Sequence, residues 1–185
     1  MSLENGILGY LSMKPLSGYD LKKLFNYSAA YFWPADQAQI YRALKKLVKD
    51  GAVELLKQEQ GRTVERKVYS ITEKGSKILH DWIVNPKTSD FISHLPFVMH
   101  LFFSGSLAQE EQLAFLDAKL RLNNELIQKL NDNYHENGDI FAEIAGLSEG
   151  DRKLDSATYA YRWGILRGEA YAQLLEEVKA EIQSK

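Results

Sequence analysis

Residues 35–51 read ADQAQIYRALKKLVKDG. On a wheel of 100° per residue, Ile40, Leu44, Leu47 and Val48 fall within a sector of roughly 100°, and Ala38, Arg42, Lys45, Lys46 and Lys49 lie opposite it. Asp36 followed three residues later by Gln39 is a capping box that starts a helix, and Gly51 suits the left-handed conformation that ends one. A solvated helix face ordinarily mixes charge signs, whereas this one gathers four cations. A helix built to enter a DNA groove accounts for that better than solvation does. Its first turns would approach base edges and offer Ala38, Gln39, Tyr41, Arg42 and Lys45. Alanine can touch a thymine methyl, glutamine can bond adenine at two points, and arginine can bond guanine O6 and N7. Lys46 and Lys49 come later and suit phosphate, which positions without specifying. Tyr41 either donates to phosphate or supports the helix against its neighbour.

The flanking sequence gives that helix a context. Leu3, Ile7, Leu8 and Leu11 make one helical stripe, stopped at Lys14-Pro15. Ser17 and Asp20 form a second capping box, for a helix carrying Leu21, Leu24 and Phe25. Phe32-Trp33-Pro34 closes that stretch before Asp36. After Gly51, Val53 and Leu55 read as a short strand, residues 59–63 as a turn around Gly61, and Val64 to Ile71 as a second strand. Thr72 caps a fourth helix with Ile78, Leu79, Trp82 and Ile83. The order of three helices, a hairpin and a helix is that of a winged helix-turn-helix. The wing adds Arg62, Arg66 and Lys67. Arg62 at the tip would reach a minor groove or phosphate, and Arg66 and Lys67, as strand neighbours, point to opposite sides. Glu59 and Glu65 dilute this charge, and a plain polar turn is the competing reading.

Net charge for the whole chain is -2, which by itself argues against a nucleic-acid partner. The average hides an asymmetry. Residues 1–84 carry 13 Lys and Arg against 9 Asp and Glu, and residues 85–185 carry 10 against 16. Within 37–77 the count is 10 against 5. A basic front could sit on phosphate while an acidic back stays clear of it. No apolar run approaches the ~20 residues of a membrane span. MSLENGILGYL shows no basic leader or cleavage site, and there is no cysteine. A cytoplasmic protein without disulfides is expected.

Asn85-Pro86 begins a turn-rich joint, which divides a DNA-binding domain at 1–85 from a helical domain at 86–185. In the second part, an apolar piece from Leu95 to Phe103 precedes Gly105. Ser106 and Gln109 suggest the cap of a long helix ending at Asn137-Gly138. Leu113, Leu116, Leu120, Asn123, Ile127, Leu130 and Tyr134 are spaced as a heptad seam interrupted by one polar residue. The last helix carries Tyr161, Ile165, Gly168, Ala172, Leu175 and Ile182 in one stripe. Its interior glycines each cost about 1 kcal/mol against alanine, so another helix comes very close. One antiparallel pair is a thin core, and a second copy would close it into four helices. The dimer interface expected on this ground is Leu113, Leu116, Leu120, Ile127, Leu130, Ile165, Gly168, Ala172 and Leu175. The competing reading satisfies each stripe within the chain.

Several segments together resemble the PadR family of transcriptional regulators: GILGYL at 6–11, SGYDL at 17–21, QIYRALKKL at 39–47, Asp50-Gly51 and KVYSITEKG at 67–75. The tail resembles the longer PadR subgroup, whose C-terminal domain is like that of virulence-gene activators. The resemblance implies a homodimeric winged-helix repressor of a double-stranded DNA operator. Its C-terminal helices would form the dimer, and small aromatic molecules would release it from DNA.

An effector site would draw on Phe91, Phe97, Phe102, Phe103, Tyr134, Tyr159, Tyr161, Trp163 or Tyr171, with Arg162, Arg167 or His100 holding a carboxylate. Core packing accounts for these aromatics equally well. An enzyme is not indicated: His80, His94, His100 and His135 lack metal-ligand spacing, and no phosphate loop or nucleophile elbow occurs. No cofactor or metal is expected. The remaining alternative is a winged helix that binds protein instead of DNA, which has no need of four cations beside the base-reading positions.

Overall fold

A computed structural model describes residues 3–29, 33–59, 66–87 and 95–184. Arg62, Phe32, Val64, Phe91 and the turn at Gly61 lie outside the described residues. Helices α1 (Leu3–Leu11), α2 (Gly18–Leu24) and α3 (Gln37–Lys49) are followed by strands β2 (Val53–Glu59) and β3 (Arg66–Ile71) and by helix α4 (Glu73–Val84). A two-residue strand β1 (Leu16–Ser17) joins the hairpin on its far side, so the sheet order is β1-β3-β2, all antiparallel. Leu16 pairs with Tyr69, and Val53 pairs with Ile71. The strand β1 and a π-helical turn over Phe25–Ala29 were not legible in the sequence.

Both capping boxes form. The Ser17 hydroxyl accepts from the Asp20 N–H at 3.2 Å, and an Asp36 carboxylate oxygen accepts from the Gln39 N–H at 2.7 Å. Thr72 caps α4 by accepting from the Gly75 N–H at 3.1 Å. Gly51 takes a φ of 70° after α3, as the αL stop requires. The apolar faces of the first three helices then meet. Ile7, Leu8 and Leu11 of α1, Leu21 and Leu24 of α2, and Ile40, Leu44 and Leu47 of α3 are buried together with Val53 and Tyr69 of the wing. Each such aliphatic side chain contributes about 1.5–3 kcal/mol by burial. Val48, expected in the buried sector, is exposed, and Ala43 takes the buried position.

The second half is α5 (Pro96–Phe103), a 3₁₀ turn at Ser104–Ser106, α6 (Gln109–Ala145) and α7 (Arg152–Gln183). Ser106 does not cap α6. Its hydroxyl donates to the Phe103 carbonyl, and the N-cap is Ala108, whose N–H donates to the Glu111 carboxylate at 3.1 Å. Nor does α6 end at Asn137-Gly138. It runs on to Ala145 and stops at Gly146, with φ of 70°. The reason is packing. Phe141 and Ala145 are buried in the same core as the three N-terminal helices, and that burial outweighs the ~1 kcal/mol cost of a helical glycine. Thus the helical half contributes directly to the core of the winged helix.

Helices α6 and α7 form an antiparallel hairpin pinned by polar contacts along its length. Gln109 Nε2 donates to the Ile182 carbonyl at 2.9 Å, and Lys179 pairs with Asp117 at 2.5 Å. Asn123 Nδ2 donates to the Gly168 carbonyl at 2.9 Å, the Tyr161 hydroxyl donates to Asn131, and the Tyr134 and Thr158 hydroxyls meet at 3.1 Å. The close approach implied by the two glycines is that of α6 itself. A β-carbon at Gly168 would stand 2.6 Å from Ile127 Cγ1, and one at Gly164 would stand 3.5 Å from Leu130.

Gly75 and Gly9 make a matched test of the packing. A β-carbon on Gly75 would lie 2.1 Å from the Ala52 carbonyl oxygen, whereas one on Gly9 meets nothing within 4 Å. Gly75→Ala is expected to lower the unfolding free energy by about 2 kcal/mol or more, and Gly9→Ala to raise it by up to about 1 kcal/mol, in urea denaturation.

Candidate nucleic-acid interface

Helix α3 is held at both ends, which fixes what its outer face presents. At the start, the Gln39 side-chain oxygen accepts from the Asp36 N–H at 2.8 Å. Just before it, Lys22 Nζ donates to the Ala35 carbonyl at 2.7 Å and to Asn26 Oδ1 at 2.8 Å, tying the π-helical turn to the approach of α3. At the end, Lys74 Nζ donates to the Asp50 carbonyl at 2.5 Å and the Thr72 hydroxyl donates to the Gly51 carbonyl at 2.8 Å. Those donors satisfy carbonyls that a helix C-terminus leaves unpaired, and Lys74 opposes the negative end of the dipole.

All seven α3 residues nominated from the sequence are exposed: Ala38, Gln39, Tyr41, Arg42, Lys45, Lys46 and Lys49. The structure divides them into a centre and two flanks. Ala38, Arg42, Lys45 and Lys49 share a sector of about 60° facing away from Ile40. Among the described residues, no hydrogen bond or ion pair engages the side chains of Arg42, Lys45 or Lys49. On one flank, Gln39 spends its oxygen on the cap, and Lys46 forms an ion pair with Glu4 of α1 at 2.9 Å. The hydrogen bond and charge of Glu4 raise the Lys46 pKa above the ordinary lysine value. On the other flank, the Tyr41 ring rests on Gly18. A β-carbon there would lie 2.7 Å from two of its ring carbons.

Tyr69 of β3 is buried in the core, within electrostatic reach of Tyr41. Burial, and then the proximity of Tyr41, raise its pKa above the usual phenol value. In the wing, Lys67 is exposed on β3, and the backbone of Arg66 begins that strand. One cation–aromatic pair on the surface of α2 escaped the sequence reading. Tyr19, the second residue of α2, is more than half exposed, and Lys23 places its ammonium 4.9 Å from the ring centroid. The four-residue spacing of an aromatic and a lysine on one helix was the available signal.

The residues nominated for a dimer lie along the α6–α7 hairpin, some of them covered within one chain. Leu116, Leu130, Gly168 and Leu175 are buried, and Leu113, Leu120, Ile127, Ile165 and Ala172 are half-buried. Among the described residues, the aromatics nominated for an effector do not gather round one point. Tyr134 stacks on Tyr161 with centroids 3.9 Å apart, and Phe97 meets Tyr171 at 5.4 Å. Tyr161 and Tyr171 are about 15 Å apart by helical rise. Arg167 lies over the exposed Trp163 ring at 4.6 Å, Arg162 is exposed, and His100 meets Phe115 edge-on at 6.4 Å. Phe102, Phe103 and Tyr159 are exposed. No helix among the described residues is long and apolar enough to cross a membrane.

Comparison with known proteins identifies the family and the fold. The sequence pattern of the transcriptional regulator PadR-like family matches residues 7–81. The negative transcriptional regulator PadR of Bacillus subtilis strain 168 is 30% identical over 134 residues, 72% of this chain and 74% of that protein. Its crystal structure in complex with operator DNA superposes with a TM-score of 0.81 at 27% identity, covering 97% of this chain and 98% of that one. Its complex with p-coumaric acid gives 0.77 at 26% identity, covering 98% of both chains. The Vibrio cholerae virulence activator AphA gives 0.74 at 26% identity over 99% of both chains. A mainly helical chain with a three-stranded wing, matched over nearly its whole length by PadR and AphA, belongs to the PadR family of transcriptional regulators, in its longer form.

Proposed function

We propose that this chain is a homodimeric repressor that places α3 in the major groove of an operator and leaves DNA when a small aromatic acid binds. The free cationic strip of Ala38, Arg42, Lys45 and Lys49, on a helix anchored at both ends, carries this reading. From Ala38 to Lys49 the strip spans about 16 Å, enough to lie along a groove about 12 Å wide. Arg42 is positioned to read guanine, Ala38 a thymine methyl, and Lys45 the adjoining base edge or phosphate. Lys49, near the helix end, suits the phosphate backbone, and Lys67 with Arg66 and Arg62 would extend the contact along the wing. Residues 1–85 read the DNA in this account, and residues 86–185 join the two copies. Its place of action is the cytoplasm, with the DNA. The p-coumaric acid complex of PadR supports the aromatic class of effector.

The dimer is better served by the outer side of the hairpin than by its inner seam. Tyr159, Trp163 and Leu166 of α7 are at least half exposed, as are Leu122 of α6 and Phe102 and Phe103 of α5. Their spacing on α7 is four and three residues, one continuous apolar stripe. A two-fold partner presenting the same stripe would cover it, and it would set two reading helices at half-site separation.

Two experiments test this. In fluorescence-anisotropy titrations over a salt series, a duplex selected by the protein should bind with an affinity that falls steeply as salt rises, since each neutralised phosphate contributes about -0.9 to the log–log slope. Arg42→Ala is expected to cost about 1–3 kcal/mol at one base position, and Lys49→Ala to weaken all duplexes alike. p-Coumaric acid should weaken the selected complex. A flat salt dependence rejects DNA binding. For the dimer, Leu166→Asp should shift the protein to monomer in sedimentation and lower operator affinity on the order of 10²-fold. An unchanged dimer would send the interface back to the inner seam.

A further inference from the structure

Tyr41 lies where α3 meets α2. It belongs to α3, yet its ring is lodged on Gly18, the buried first residue of α2. The fit leaves no room for a methyl group: a β-carbon at 18 would be 2.7 Å from Cε1 and Cζ and 2.9 Å from the phenolic oxygen. Such separations are shorter than any van der Waals contact, so the ring sits directly against the α2 backbone. The residue before Gly18 is Ser17, which is paired with Val68 of β3 and also caps α2. One step earlier Leu16 is paired with Tyr69 of the wing. The recognition helix therefore bears through one aromatic ring on the start of α2, which the pairing of Ser17 with Val68 joins to the wing.

The consequence is geometric. Ile40, Leu44 and Leu47 bury one side of α3, but an aliphatic stripe slides more readily than a ring in a fitted seat. Rolling a helix by about 20° moves atoms on its outer surface, about 6 Å from the axis, by about 2 Å. That displacement is enough to break a hydrogen bond whose heavy atoms must stay within about 3.2 Å. Arg42 is the next residue along the chain, and its reach to a base pair depends directly on the roll. On the opposite flank Lys46 is held by Glu4. That pair is exposed, and such pairs are worth little, so the ring is the stronger of the two restraints.

We propose that Tyr41 is a positioning residue for sequence reading: its ring, seated on Gly18, sets the roll of α3 against α2 and the wing, and its hydroxyl is not needed on DNA. This rests on the DNA-binding reading above. The probes are a duplex selected from a random pool by the unsubstituted protein and a scrambled duplex of equal length and composition. Tyr41→Phe keeps the ring and should leave both affinities unchanged. Tyr41→Ala should lower the selected-to-scrambled ratio about tenfold, the size of one lost base contact, while scrambled-duplex affinity and the salt slope stay constant. Gly18→Ala displaces the ring without touching α3 and should lower the ratio in the same way, so the test survives if Tyr41→Ala does not fold. If Tyr41→Phe weakens both duplexes alike, the hydroxyl is a phosphate contact and the proposal is wrong. An unchanged ratio in Gly18→Ala overturns it too, with DNA binding itself intact. If the unsubstituted protein shows no salt-dependent binding, the DNA-binding reading falls, and the positioning role with it.

Discussion

The burial of one face of α3 is the constraint on which the other arrangements depend. Ile40, Leu44 and Leu47 enter a core lined by α1 and α2, and this fixes the opposite face outward. The hydrophobic effect is non-directional and cannot by itself choose which residues read a groove. It can only decide which side of a helix is left over. Directional contacts then refine the position: a side-chain cap at the start, Lys74 and Thr72 on the last carbonyls, and Glu4 and Gly18 on the two flanks. A cationic strip presented by a well-restrained helix loses little entropy on binding, which favours specificity over mere charge attraction.

The same core explains why two halves of opposite charge balance form one molecule. Phe141 and Ala145 come from the acidic part of the sequence, yet they are buried among the N-terminal helices. Two lysines bridge the halves as well. Lys14 Nζ donates to the Glu143 carbonyl at 3.2 Å, and Lys153 Nζ donates to the Ser12 carbonyl at 3.3 Å. Each ties a backbone carbonyl of one half to a side chain of the other. A helical hairpin grafted on in this way can pass on a change in its own packing to the helices that carry α3.

Features written in local spacing were legible in the sequence. The capping boxes at Ser17 and Asp36, the stop at Gly51 and the apolar stripe of α3 each depend on residues within one or two turns. The family was legible for the same reason, since its motifs lie in those segments. Non-local features were hidden. The strand β1 is two residues long and exists only through pairing with β3, some fifty residues away. The ion pair of Lys46 was hidden because Glu4, its partner, is 42 residues earlier. Gly138 looked like a helix end because nothing nearby shows that Phe141 has a core to reach. The heptad seam of α6 was read correctly as a helix-packing surface. What the spacing could not say was whether the facing helix is α7 of the same chain or a second copy.

The continuation of α6 through Gly138 has a consequence of its own. Thirty-seven residues of unbroken helix measure about 55 Å. The start of this rod lies against the end of α7, where Gln109 meets the Ile182 carbonyl, and its other end packs on α2 and the π-helical turn. Each residue advances the rod by 1.5 Å and turns it by 100°. On the dimer proposed above, the separation and mutual phase of the two copies of α3 would depend on where along this helix the partner is met. An insertion in this helix would keep Phe141 turned toward its core only in helical steps, of three or four residues at a time.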